Sequence, residues 1–95
     1  MENREKASAV REFLQEAYPG ERVEDRYDAQ RMAHTFDITA KGVPHRVIVE
    51  EGFLAVQEAS SIPGKLKDFT LIEHLRELGS TPLRVTKEGL KLEYE

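Results

Sequence analysis

Apolar and polar residues alternate through the middle of the chain, between residues 34 and 50. The apolar positions of this alternation are Phe36, Ile38, Ala40, Val47 and Val49. A break that contains Gly42 and Pro44 separates the two alternating runs. Period-two patterning on both sides of such a break predicts a β-hairpin with one buried face. We place its strands at residues 32–40 and 45–50.

Two other segments carry apolar residues at helical spacing. Residues 3–18 have theirs at Val10, Phe13, Leu14 and Ala17. Residues 66–78 have theirs at Leu66, Phe69, Ile72, Leu75 and Leu78. Each spacing predicts an amphipathic helix with one apolar stripe. Pro19-Gly20 ends the first helix, since neither residue continues one.

Local signals fix the ends of the second helix. Thr70 and Glu73 have the spacing of a capping box, so the ordered helix is predicted to start as late as residue 71. Gly79 follows the last apolar position and is predicted to end the helix in a left-handed conformation.

The remaining segments complete a sheet. Residues 22–28 alternate only in part, which favours an edge strand. Residues 51–58 are apolar without strict alternation and fit either an extension of the third strand or a helical turn. Residues 81–94 predict a second hairpin around a two-residue turn at Glu88-Gly89. Its predicted pairs are Val85 with Leu92 and Leu83 with Tyr94.

The order of elements is therefore α-β-β-β-α-β-β. Because each helix is apolar on one stripe only, we expect an α+β fold, with two helices packed on one face of a four- or five-stranded, mainly antiparallel sheet. The 95 residues contain no linker, so residues 1–95 are predicted to form a single domain.

Composition and charge limit the chemistry. The sequence has no cysteine, which excludes disulfides, thiolate zinc sites and a cysteine nucleophile. It shows neither an apolar signal core nor a run long enough to span a bilayer, so we expect a cytoplasmic protein without a membrane partner. The net charge of −4 argues against unaided binding to duplex nucleic acid. No glycine-rich phosphate loop is present, and no cofactor is expected.

The histidines do not predict a metal site. His34 and His45 both fall on the apolar face of the central hairpin, at its open end and near its turn. About five residues at ~3.4 Å each separate them, or roughly 17 Å, whereas two ligands of one metal each lie ~2 Å from it. We expect both to be half-buried at strand ends and His74 to lie on the flank of the second helix.

Carboxylates on the central hairpin suggest a nuclease-like alternative. Restriction-endonuclease-like nucleases share the order α-β-β-β-α-β and hold Mg²⁺ with an Asp on the second strand and a Glu-x-Lys on the third. Asp37, Glu50 and Glu51 occupy these strands, but the lysine is missing. A degenerate Mg²⁺-dependent nuclease is therefore a weak alternative. We expect these three acids to be ordinary polar residues on the solvent-facing side of the strands.

A small set of cations suggests nucleic-acid binding as a second alternative. Double-stranded RNA-binding domains have the order α-β-β-β-α and grip phosphates with lysines at the start of the second helix. Lys65 and Lys67 lie at that place, and Lys41 and Arg46 would add to the patch. Asp68 follows at once and the whole domain is acidic, so RNA binding is an alternative only.

The remaining candidates are surface residues. Tyr and Met are enriched in the centres of protein interfaces, and exposed strand edges offer pairing sites. Residues of this kind at the ends of elements are Tyr18, Tyr27, Met32, Phe53 and Tyr94, of which the last four form the candidate interaction surface. The favoured interpretation is a non-enzymatic interaction or accessory module whose partner is another protein or a second copy in a homodimer.

Overall fold

The computed structural model of the protein describes residues 4–92 and confirms the α+β fold. Its elements are α1 (Arg4–Ala17), β1 (Val23–Asp28), β2 (Ala33–Ala40), β3 (Val43–Glu50), α2 (Glu51–Val56), a 3₁₀ turn (Ala59–Ser61), α3 (Ile62–Asp68), α4 (Leu71–Leu78), β4 (Leu83–Thr86) and β5 (Gly89–Leu92). The order of helical and extended regions is the predicted one. The second helical region consists of three short helices and the 3₁₀ turn, where the sequence predicted one helix.

The five strands form one sheet in the order β1-β2-β3-β4-β5. Neighbouring strands are antiparallel except β3 and β4, which are parallel. A parallel pair needs a crossover connection, and the helical region 51–78 supplies it. The predicted edge position of β1 is confirmed.

One face of the sheet holds the core. Side chains of α1, α2, α3 and α4 join the inward-facing strand residues in a single buried cluster. The inward-facing members are Val23, Phe36, Ile38, Val47, Val49, Leu83 and Val85. Within the described residues, no helix is both long enough and apolar enough to cross a membrane.

The turn of the central hairpin is tighter than predicted. Ala40 pairs with Val43, so β3 begins two residues earlier than expected and only Lys41 and Gly42 form the turn. Both turn residues have positive φ, 53° and 80°. This is the conformation of a type I′ turn, whose twist matches that of the flanking strands.

Residues 51–56 form a helix, which decides between the two conformations that the sequence allowed. The Glu51 backbone N–H donates to the Met32 carbonyl oxygen at 3.0 Å and anchors the start of α2 beside β2. The helix buries Phe53 completely, with its ring centroid 6.0 Å from that of Phe69. The assignment of Phe53 to an interaction surface is therefore wrong, because its ring belongs to the core.

The predicted capping box at Thr70 does not form. Thr70 separates α3 from α4 in a left-handed conformation with φ of 54°, and its hydroxyl donates to the Phe69 carbonyl oxygen at 2.6 Å. The stripe of apolar residues therefore runs over two helices with a sharp break. Gly79 follows α4 with φ of 61° and ψ of −118°. Its φ is positive as predicted, but the left-handed helical conformation predicted for it is not adopted.

The register of the second hairpin differs from the prediction by two residues. Its turn is Lys87-Glu88, since Thr86 pairs with Gly89, Val85 with Leu90 and Leu83 with Leu92. The Thr86 hydroxyl closes this turn by donating to the Gly89 carbonyl oxygen at 2.9 Å. A shift of two residues preserves which side chains share a face. Tyr94 lies outside the described residues.

The outward face of the sheet carries ion pairs. Arg46 contacts Asp37 at 2.8 Å, and Arg84 contacts Glu50 at 3.2 Å. Between these pairs, Ile48 is buried although it points away from the helices. We attribute its burial to the stems of the neighbouring long side chains, which cover apolar surface while their charged ends reach solvent.

Candidate functional site

A cleft lies where three elements of the described structure meet. The end of α1, the turn of the β2–β3 hairpin and the end of α4 enclose a volume of about 520 Å³. We call it the Tyr18 cleft, and its lining residues are Ala17, Tyr18, Pro19, Glu21, Ala40, Lys41, Val43, His45, Arg76 and Gly79. A mainly apolar wall with few polar groups is typical of small-ligand sites.

The sequence builds the first wall by ending α1. The Tyr18 backbone N–H still donates to the Leu14 carbonyl oxygen at 3.0 Å, and Pro19 then stops the helix. The Gln15 side-chain amide donates to the Glu21 carbonyl oxygen at 2.6 Å and holds the chain that follows. Tyr18 is thereby fixed at the base of the cleft.

His45 joins the other two walls. It faces inward from β3 opposite Ile38, and its Nδ1 lies 2.8 Å from the Gly79 carbonyl oxygen. Since a carbonyl only accepts hydrogen bonds, Nδ1 carries the proton and Nε2 of the neutral ring is an acceptor. This bond ties the end of α4 to the hairpin and orients the imidazole beside the Tyr18 ring, with centroids 5.6 Å apart.

Tyr18 is the unusual group in this cleft. Its side chain is 8% exposed, and its hydroxyl has no hydrogen bond of standard geometry among the described residues, although the Arg76 guanidinium acts on the phenol oxygen as a nearby donor. Because a guanidinium cannot accept, the Tyr18 O–H proton has no acceptor there. Buried hydroxyls nearly always have a partner, so an unpartnered one beside a cleft marks a position for a ligand atom. Burial raises the pKa of the Tyr18 phenol above its ordinary value, while the Arg76 guanidinium acts in the opposite direction.

The charged groups of the cleft are mainly cationic. Lys41 and Arg76 line it together with one acid, Glu21, which gives a formal charge of +2 − 1 = +1. Within residues 4–92, neither cation lies within 4.0 Å of a carboxylate oxygen. The cleft therefore combines an apolar wall, a buried hydroxyl donor and two cations at its rim.

Replacing Tyr18 with phenylalanine tests the burial of this hydroxyl. Above pH 10.0 the unfolded chain loses the phenolic proton while the folded protein keeps it, so Tyr18 lowers stability as pH rises toward its raised pKa. We expect Tyr18→Phe to raise the free energy of unfolding by about 1 kcal/mol at pH 7, because it removes a buried donor without an acceptor, and to raise it further relative to wild type at pH 11. Urea denaturation at both pH values measures this, and an unchanged difference between the two proteins would contradict it.

The structure keeps the two hairpin histidines apart. His45 lies opposite Ile38, four positions along β2 from His34, or about 14 Å. Both are buried rather than half-buried. The His34 ring is tilted against the Tyr27 ring, with centroids 5.0 Å apart, and its Nε2 has no hydrogen-bond partner among the described residues. The described residues contain no group of three or more His, Cys, Asp or Glu side chains placed to hold a metal ion.

The nuclease-like carboxylates are not brought together. Asp37 is bonded to Arg46, and Glu50 is bonded to Arg84. Glu50 pairs with Ala33, four positions along β2 from Asp37, which separates the two acids by about 14 Å. Glu51 lies in the first turn of α2. One Mg²⁺ cannot contact both Asp37 and Glu50 across this distance, because its carboxylate ligands each lie about 2 Å from it.

The four candidate nucleic-acid contacts do not form one patch. Lys65 and Lys67 lie in the last turn of α3, where the sequence predicted the start of a helix, because the helical region begins earlier. Lys65 Nζ lies 5.6 Å from the centre of the Phe69 ring. Arg46 is on the outward face of the sheet, opposite the helices, and Lys41 is in the hairpin turn.

The candidate interaction residues are also dispersed. Met32 is 61% exposed, but it lies in a turn with φ of 51° and not in β2 as predicted. Tyr27 is half-buried against His34 in the edge strand β1. With Phe53 in the core, these residues give no continuous surface within residues 4–92.

The cleft is not predicted by any local pattern of the sequence. Alternation predicts His45 on the inward face and Pro19-Gly20 puts Tyr18 at a helix end, but no pattern distinguishes Arg76. The elements that form the site are far apart in the chain, and His45 and Gly79 are separated by 34 positions. An aromatic residue directly before Pro19-Gly20 was the one local signal.

Comparisons of the chain with protein-family models, with curated proteins and with solved structures find no significant match.

Proposed function

We propose that the protein is an accessory binding module, and that the Tyr18 cleft is its ligand site. One observation carries this proposal: the buried Tyr18 O–H has no acceptor among the described residues, and it lies in a cleft of about 520 Å³. A ligand atom that accepts from this hydroxyl would remove the cost of leaving a buried donor unpaired.

The chemistry of the cleft favours binding over catalysis. A general base needs a pKa near the working pH. Burial moves the pKa of Tyr18 away from neutrality, so its hydroxyl keeps the proton and acts as a donor. His45 uses Nδ1 to hold Gly79, which makes it a positioning element of the cleft wall.

The sheet edges give less support to a protein partner or a homodimer. The edge strand β1 exposes Glu24 and Arg26, and charged side chains on an edge discourage pairing with another strand. Association through the edges and a cytoplasmic location stay predictions from the sequence.

A neutral probe tests the proposed function. We expect benzyl alcohol to shift the backbone amide resonances of Ala17, Ala40, Val43 and Gly79 in ¹⁵N-labelled protein, because its ring fits the apolar wall and its hydroxyl can accept from Tyr18. Affinity in the millimolar range suffices, as ΔG° is about −4 kcal/mol at 1 mM. Shifts confined to residues outside the cleft would refute the proposal. The absence of any shift up to the solubility limit of benzyl alcohol would also refute it.

Two exposed valines provide a matched control. Val43 lines the cleft and is 38% exposed, whereas Val56 at the end of α2 is 62% exposed and lies outside it. We expect Val43→Asp to abolish the shifts and Val56→Asp to leave them unchanged. Equal effects of the two substitutions would show that the shifts do not report on this cleft.

A further inference from the structure

We infer that the ligand of the Tyr18 cleft is a small carboxylate with an apolar body, whose carboxylate group contacts the Arg76 guanidinium and the Tyr18 hydroxyl. This inference rests on the proposed function and adds the chemical class of the ligand.

Arg76 differs from three arginines of the fold that contact a carboxylate. Arg46 and Arg84 contact Asp37 and Glu50 at 2.8 and 3.2 Å, and Arg11 lies 3.6 Å from Asp25. Among the described residues Arg76 has no such carboxylate, although it lines the same cleft as Glu21. A guanidinium can donate two parallel hydrogen bonds to one carboxylate. Arg76 is therefore the group of the cleft best suited to bind a ligand carboxylate.

The Tyr18 hydroxyl supplies the next contact. Its O–H is a neutral donor without an acceptor among the described residues, and Tyr18 and Arg76 line the same cleft. A carboxylate has enough lone pairs to accept from both groups at once. A ligand cation would instead meet Arg76 and Lys41.

The helix ends limit the ligand to one negative charge. Both α1 and α4 end at the cleft, and helix C-termini carry partial negative charge. Their nearby carbonyl groups are partly satisfied, since the Gly79 oxygen accepts from His45 and the Tyr18 oxygen accepts from the Glu21 N–H at 3.2 Å. Together with the formal charge of +1 in the lining, this balance favours a monoanion over a dianion.

The walls require an apolar body. Ala17, Pro19, Ala40 and Val43 present small apolar groups around a volume of about 520 Å³, which exceeds that of one aromatic ring. Val43 is one of the exposed large apolar side chains of the described structure, and a ligand ring would cover it. Benzoate is the simplest probe that combines these properties.

Three probes with the same ring test the inference at constant ionic strength. Amide-resonance titrations with benzoate, benzyl alcohol and benzylammonium give a dissociation constant for each. We expect benzoate to bind about tenfold more tightly than benzyl alcohol, as for one added hydrogen bond to a charged group, and benzylammonium to bind most weakly. Arg76→Gln should remove the preference for benzoate, so that benzoate and benzyl alcohol bind this variant with similar affinity.

Arg22→Gln is the control for the loss of one positive charge. Arg22 pairs with Glu24 at 3.4 Å and lies outside the cleft, so the preference should persist in this variant. Equal affinity for benzoate and benzyl alcohol, tightest binding of benzylammonium, or a preference that survives Arg76→Gln would overturn the inference while leaving the proposed function intact. If none of the three probes binds, both fail.

Discussion

Replacing Phe53 with alanine should lower the free energy of unfolding by about 3–5 kcal/mol, as for other fully buried phenylalanines. The ring is completely enclosed in the core and packs against Phe69. Small domains unfold with about 5–15 kcal/mol in total, so the variant should be close to unfolded at 37 °C. The midpoint of urea denaturation, followed by circular dichroism, measures the loss.

Met32 provides the contrast for this substitution. It is exposed in the turn that precedes β2, and Met32→Ala should change the free energy of unfolding by less than about 0.5 kcal/mol. Comparable losses for the two variants would place Phe53 at the surface and contradict the helical assignment of α2.

Replacing Ile48 with alanine should cost about 2–4 kcal/mol, although no described helix packs on its face of the sheet. Ile48 is 3% exposed and lies beside Arg84 of the neighbouring strand. Its removal would leave a cavity beneath side chains that are already held in ion pairs. Ile48→Val should cost only about 0.5–1.5 kcal/mol, because it removes a single methylene.

The alternative is that water reaches Ile48 on the outward face of the sheet. Val56→Ala removes apolar atoms from a side chain that is largely exposed, and it should be nearly neutral. A loss for Ile48→Ala as small as that for Val56→Ala in the same urea experiment would show that the outward face is not self-covered.

Local patterns predicted most of the architecture. The alternation at Phe36, Ile38 and Val47 identified the buried face of the central hairpin, and the partly polar pattern of residues 22–28 identified an edge strand. Such patterns succeed because side-chain period is fixed by the backbone geometry of the element itself.

Boundaries and registers depended on contacts that patterns do not contain. The break between α3 and α4 needs the left-handed conformation of Thr70, which a threonine seldom adopts. In the observed register of β4 and β5, Thr86 pairs with Gly89, and the Thr86 hydroxyl donates a hydrogen bond to the Gly89 carbonyl oxygen. Both Glu88-Gly89 and Lys87-Glu88 turns preserve the same faces, so alternation alone does not distinguish them.

The site was less predictable than the fold because its parts come from three separate elements. Charge and residue type drew attention to Asp37, Glu50 and Lys65, which the structure places in ion pairs or beside an aromatic ring. Tyr18 and Arg76 had no spacing that connected them. Their proximity follows from where α1 and α4 end, which is a property of packing.

The contact between ligand and cleft wall tests the central claim most directly. Isotope-filtered nuclear Overhauser spectra of ¹³C-labelled protein with unlabelled benzoate report which methyl groups lie within about 5 Å of the ring. The Tyr18 cleft predicts contacts from the ring protons to the methyl groups of Ala17, Ala40 and Val43. Contacts to Val56 or Met32 instead, or none at saturating benzoate, would contradict it.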